Sequence, residues 1–538
     1  MAMDHLARLK TRLGEIDDLQ RAAQVLSWDQ STYMPARGGT GRARQLATLE
    51  SLAHRLLTEP EMARMLAAAL DEVEAAGLPS DHADVVLLRV AQRDRERAVR
   101  VPRPLVEELA LATALAYDAW VAARSSDDFA AFAPHLQKNI DLTLRKAEHL
   151  GYDRHPYDAL LEDNEPGMTT ERLRSLFDDL RAGVTPLLEA IVAHADRVDD
   201  GVLYREYDEQ AQLRFSEDVV RRFGYDFSRG RLDLTVHPFA TSFGLGDVRI
   251  TTRVSRTFLQ MALMGTMHEA GHGLYEQNFA LELARTPVAH GSSSGVHESQ
   301  SRLWENVVGR RRDVWDYLFP LAQQAFPEQL GDADAETLYR AFNKVTPSLI
   351  RVEADEVTYN LHTMLRFELE NDLLEGRLAV ADLPEAWNAA MQRHLGIAPS
   401  TNTEGVLQDV HWSIGYFAGF PSYTVGNVLS VQFYDAAARA IPSIPGDLAA
   451  GRFDTLLNWL RENVYRHGRT YQPDALAERV TGSPITAEPY LRYLREKYGA
   501  LYGVETASAP PLPTVGEARW TGDPAARDRG ASQPRGEG

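Results

Sequence analysis

From residue 3 to residue 500 the apolar residues recur at the 3.6-residue spacing of an α-helix, and in one region only, 232–252, do they alternate. A chain patterned in this way folds as a helical protein carrying one small sheet. Helical stretches rich in Ala, Leu, Arg and Glu cover 3–31, 40–76, 80–98, 103–125, 127–151, 169–196, 207–224, 254–280, 296–325, 335–345, 347–376 and 382–397. They resume over 422–442, 446–467 and 472–500. Leu232, Leu234 and Val236, then Val248, Ile250 and Thr252, alternate with polar residues on either side of a turn-rich run, 238–246. That pattern predicts a small antiparallel sheet just before the 254–280 helix.

The 254–280 helix contains His268-Glu269-Ala270-Gly271-His272, an H-E-x-x-H motif. On a helix, positions i and i+4 share a face, so both imidazoles reach one metal ion, with Glu269 beside them as a general base. Sixteen His in 538 residues produce this pattern by chance in only about a few chains per hundred. Gly271 costs about 1 kcal/mol relative to Ala inside a helix, which points to something packed close at that position.

A hydrolytic zinc site needs a third protein ligand and one open position. Tyr275 and Asn278 stand where the H-E-x-x-H-x-x-G-x-x-H class has Gly and His, so that class is excluded. Glu276 lies about 12 Å along the helix axis from His268, too far to share one ion with both His. The next candidates follow the Gly/Ser run at 291–295, where a helix start would place Glu298 in a first turn. Glu298 could equally pair with Arg302 at i,i+4, and its neighbour His297 is a rival ligand.

His268-Glu269-Ala270-Gly271-His272 followed by His297-Glu298-Ser299-Gln300-Ser301-Arg302 resembles the thermostable carboxypeptidase Taq family of metallocarboxypeptidases. So do His237-Pro238-Phe239, Asp247-Val248-Arg249-Ile250-Thr251, Ile350-Arg351-Val352-Glu353-Ala354-Asp355 and Gly405-Val406-Leu407-Gln408-Asp409-Val410-His411-Trp412, in that order. The opening segments Leu26-Ser27-Trp28-Asp29-Gln30 and Met34-Pro35 fit as well, and the resemblance spans 5–504. It implies a mainly α, two-lobed, neurolysin-like fold around a deep groove, with the small sheet near the metal. It implies that His268, His272 and Glu298 hold one ion per chain, Zn2+ with Co2+ also suited to the donors, and that His297 does not. It further implies a homodimer, and an Arg249 that closes one end of the groove.

Within that frame the chemistry is peptide hydrolysis, with metal-bound water as nucleophile and Glu269 as general base. Tyr423 is the candidate donor to the oxyanion. Release of single residues from a free C-terminus requires a carboxylate grip, for which Arg351 is the first choice and Arg249 the second. Arg351 could instead pair with Asp355 at i,i+4. His411 and His237 complete the candidate substrate-binding set. An oligopeptidase that cuts internal bonds is the alternative enzyme, and a non-catalytic peptide binder is the alternative from another class.

A net charge of −20 argues against nucleic acid as partner, because phosphate binding needs clustered Lys and Arg. No apolar run is long enough to span a membrane, and the first residues lack the pattern of a secretory signal, so a cytoplasmic address is expected. With no Cys, disulfides and thiolate ligands are excluded. Residues 1–504 are expected to form a single catalytic domain. The Pro-, Gly- and Arg-rich 505–538 segment is expected to be a disordered tail.

Overall fold

Helices form in the stretches where the apolar periodicity placed them, with their ends moved by proline, glycine and capping side chains, and one more, Pro156–Asn164, forms between the expected 127–151 and 169–196 stretches. The computed structural model describes residues 5–504; the expectation for a 505–538 tail lies outside the described residues. The 40–76 stretch is two helices, Gly39–Thr58 and Pro60–Ala75. Pro60 lacks the N–H that would continue the first, and its fixed φ suits the first turn of the second. The 347–376 stretch is helical only from Tyr359 to Leu374. Ahead of it, Arg351–Glu353 is a single 3-10 turn. The Asp355 carboxylate accepts from the N–H groups of Val357 at 2.9 Å and Thr358 at 3.0 Å, which fixes the turn that leads into the helix. Among the described residues no helix is long and apolar enough to cross a membrane.

The sheet has three strands, β1 (Leu232–Leu234), β2 (Ala240–Ser242) and β3 (Val248–Thr252). Their order is β1-β3-β2. β2 pairs antiparallel with β3, and β1 pairs parallel with it, Leu232 facing Ile250. The expected antiparallel sheet is therefore mixed. The reason is β2, a three-residue strand hidden in the turn-rich run. It takes the antiparallel edge of β3 and leaves β1 the other, parallel one.

Two consecutive α-helices position the candidate metal-binding residues. The Leu259–Gln277 helix is buried on more than one side, with Leu263, Met267, Ala270 and Leu274 all at 1 % exposure or less. The Ser294–Arg302 helix begins inside the Gly/Ser run because the Ser293 hydroxyl accepts from the Val296 N–H at 3.0 Å. Glu298 consequently sits in its second turn rather than its first. This helix passes into a π-helical segment, Leu303–Val308. The two helices touch at Gly271, where a Cβ would strike the Gln300 carbonyl and come within 2.6 Å of Ser301 Cα. A third helix, Phe420–Ala440, lies against Glu298 at Gly426, where a Cβ would come within 2.5 Å of the Glu298 side chain.

Candidate metal centre and arginine cluster

Helical spacing puts His268 and His272 one turn apart, with ring centroids 5.0 Å from each other. Glu298 Oε2 lies 3.7 Å from His268 Nε2 and 3.4 Å from His272 Nε2. Ligand atoms about 2.05 Å from a tetrahedral zinc stand about 3.3 Å apart, so the three donors have the right type and spacing for one ion. Around them Glu269, Glu298 and Glu305 face Arg302 and Arg310, while Glu276 has Arg21 near it. Three carboxylates against two guanidiniums leave a negative excess that suits a divalent cation. The i,i+4 pair of Glu298 with Arg302 also forms, through the other carboxylate oxygen, Oε1, at 2.7 Å. One residue thus satisfies both of its sequence readings, one per oxygen.

Each imidazole is held from behind. His268 Nδ1 is 2.9 Å from Glu305 Oε2, and Glu305 also takes hydrogen bonds from Arg302 and Arg310. Burial alone would raise the Glu305 carboxyl; the His268 hydrogen bond and the Arg302 charge outweigh it and hold it at about 2. His272 Nδ1 is 2.6 Å from His297 Nδ1, and His297 Nε2 is 2.9 Å from Glu276 Oε1. Burial lowers His272 to about 4, which favours the unprotonated imidazole that a metal ligand needs. Burial raises the Glu269 carboxyl to about 7, and its oxygens make no hydrogen bond among the described residues.

The second cluster centres on Asp409. Arg351 donates to Asp409 Oδ1 from Nε at 3.0 Å and Nη2 at 2.7 Å, and to the Tyr359 hydroxyl from Nη1 at 2.7 Å. Arg366, fully buried, donates to Asp409 Oδ2 at 2.7 Å and stacks over Trp387. The expected partner Asp355 does not meet Arg351, because its oxygens are occupied by the turn at Val357 and Thr358. His411 stacks on Phe420 with centroids 4.4 Å apart, and its Nε2 is 3.2 Å from the Tyr423 hydroxyl. Burial, helped by the Arg351 and Arg366 charges and opposed by Asp409, lowers His411 to about 3. Glu370 holds the loop that carries Asp409 and His411. It accepts from Trp412 Nε1 at 2.9 Å and from the N–H of Ala418 at 3.1 Å, where the backbone takes a left-handed φ of 60°.

Tyr359 joins the two clusters. Its hydroxyl accepts from Arg351, while the Arg302 guanidinium, paired with Glu298, lies 4.4 Å above its ring. Tyr423 is one helical turn from Gly426, the residue pressed on Glu298. The structure thus brings His268, Glu269, His272, Glu298, Arg351, His411 and Tyr423 into one connected set. Arg249 stands apart on β3, paired with Asp247 at 2.8 Å and packed over Trp28 and Phe243. His237 is exposed on the turn between β1 and β2. Sequence reasoning did not pick out Glu305, Tyr359, Asp409, Arg366 or Glu370. Asp409 was within reach of it, since it lies inside the quoted 405–412 segment.

Residues 8–498 match the family described as Carboxypeptidase Taq (M32) metallopeptidase. The chain is 43 % identical to Thermostable carboxypeptidase 1 of Thermus thermophilus over 89 % of its own length and 95 % of that protein. The M32 carboxypeptidase structure from Deinococcus radiodurans superposes with a TM-score of 0.89 at 45 % identity, covering 93 % of this chain and 100 % of that one. A Pyrococcus furiosus carboxypeptidase structure gives 0.88 at 36 %, covering 93 % and 99 %.

Proposed function

The chain belongs to the carboxypeptidase Taq (M32) metallopeptidases and is a metal-dependent carboxypeptidase; from that premise we propose how its residues divide the work. His268, His272 and Glu298 hold one divalent ion per chain, Zn2+ first and Co2+ second by donor type. When bound, such an ion acidifies water and polarises a carbonyl. Glu269 accepts the proton released on attack and passes it to the leaving amine. Tyr423, resting on His411 in the free protein, turns its hydroxyl to the oxygen on which negative charge develops.

Arg351 holds the C-terminal carboxylate of the substrate. Of its five N–H groups, Asp409 takes two and Tyr359 one, which leaves two for a bidentate grip. The observation that carries this reading is Tyr359, which places that grip one aromatic ring away from the Arg302–Glu298 pair. His411 supports the same carboxylate. Arg249, fixed by Asp247, and the exposed His237 are assigned to the substrate further from the scissile bond. Residues 1–504 form the catalytic domain, so truncation after Val504 should retain activity. The family resemblance carries the homodimer, which light scattering checks through the mass in solution.

The deciding experiment gives the protein one peptide with a free C-terminus and the same peptide amidated. Stepwise release of residues from the free form alone is expected. Equal turnover of both would replace this reading with an internally cutting oligopeptidase.

A further inference from the structure

His268 and His272 are equivalent in the motif but not in their support. A carboxylate, Glu305, meets His268 directly. Behind His272 stands a second imidazole, His297, and only then a carboxylate, Glu276. The 2.6 Å between His272 Nδ1 and His297 Nδ1 has room for one proton. If Nε2 of His272 lends its lone pair to a metal, its proton sits on Nδ1, so His272 donates and His297 accepts. His297 then carries its own proton on Nε2 and donates to Glu276 Oε1 at 2.9 Å. Glu276 is 9 % exposed, and its other oxygen is buried without a hydrogen-bond partner, so His297 is the one side chain bonded to it among the described residues. The proton order along the row is fixed from the carboxylate end.

The packing around His297 is equally restrictive. Its ring centroid is 5.3 Å from that of Tyr275, and a Cβ on Gly291 would come within 2.8 Å of its Cδ2. Only a residue without a side chain at 291 lets the imidazole lie flat against the loop there.

We propose that His297 and Glu276 are positioning residues that set the tautomer and ring angle of His272, so that both govern retention of the ion without touching it. The proposal rests on the assignment of His268, His272 and Glu298 as ligands. Side chains that orient metal-bound histidines typically change affinity about 10- to 100-fold when removed. The test uses the full-length apoprotein, titrated with Zn2+ against a competing chelator. His297→Ala should weaken Zn2+ binding about 10- to 100-fold. His297→Gln should return it to within about 3-fold, because a glutamine oxygen can accept from His272 while its NH2 donates to Glu276. Glu276→Gln should fall between, since it keeps an acceptor and loses the charge. Unchanged affinity in His297→Ala and Glu276→Gln would overturn the relay. So would a His297→Gln as weak as His297→Ala, which would make the effect one of packing alone. Glu298→Ala separates the two assignments. It should abolish measurable binding, whereas Zn2+ binding that survives there and is abolished in His297→Ala would move the third ligand to His297 and remove the premise.

Discussion

The metal corner and the arginine corner are both buried charge clusters, and their imbalances have opposite signs. Around His268 and His272, the carboxylates of Glu269, Glu298 and Glu305 face the two guanidiniums of Arg302 and Arg310. Around Asp409, one carboxylate faces Arg351 and Arg366. Burying an unbalanced charge is costly, and in the proposed reading each excess is matched to a ligand of the opposite sign: a divalent cation in the first, a substrate carboxylate in the second. On that proposal the difference separates two tasks: one corner supplies the chemistry of bond breaking, and the other decides which end of a peptide reaches it. Tyr359 lies between them, its ring beneath Arg302 and its hydroxyl on Arg351.

The sharpest way to test that separation is Glu269→Gln. This change should lower kcat about 10³-fold, with metal content unchanged and the preference for a free C-terminus intact. Normal turnover would remove Glu269 from the reaction. Asp409→Ala attacks the other corner at its base, leaving two buried guanidiniums without their shared counterion. It should cost about 3–4 kcal/mol of stability in urea unfolding and leave Zn2+ affinity unchanged. A loss of Zn2+ affinity there would mean that the corners are coupled.

Gly271→Ala should act only on the metal corner. The added methyl meets the backbone at Gln300 and Ser301, so the two ligand helices must move apart. Destabilisation of about 2–3 kcal/mol with weaker Zn2+ binding is expected, and a neutral effect would contradict the close approach. Arg351→Met should act only on the arginine corner. It should lower kcat/KM at least about 30-fold for peptides with a free C-terminus, the value of a single one of its two charge-assisted hydrogen bonds at about 2 kcal/mol. Any residual cleavage of amidated peptides should not change. An equal loss on both substrates would show that Arg351 acts through structure instead of recognition.

The two corners were not equally legible. His268, Glu269 and His272 lie within five residues of one helix, and Glu298 is on the next α-helix, so periodicity and spacing reach most of the metal corner. Spacing also explains the error at Arg351. It offered Asp355 at i,i+4, which holds only if 351–355 is helical. The segment is instead a 3-10 turn, and Asp355 is claimed by the N–H groups of Val357 and Thr358 beyond it. The true partner, Asp409, is 58 residues away on a loop held by Glu370. Glu276 shows the opposite case. Axial rise kept it out of the candidate ligand set, and only the structure shows it behind His297 instead. The sheet went wrong for a related reason: β2 is three residues long and has no alternation to detect.

The sequence by itself determined the helical architecture and the helix that carries the H-E-x-x-H motif, because those depend on local periodicity, which a chain carries along its length. Only the tertiary structure decided which carboxylate stands behind which imidazole, which acid pairs with Arg351, and how β1 joins the sheet. Those are contacts between segments distant in sequence. They are chosen by burial and charge pairing in the folded interior, where an unpaired charge is too costly to leave, and no spacing along the chain encodes them.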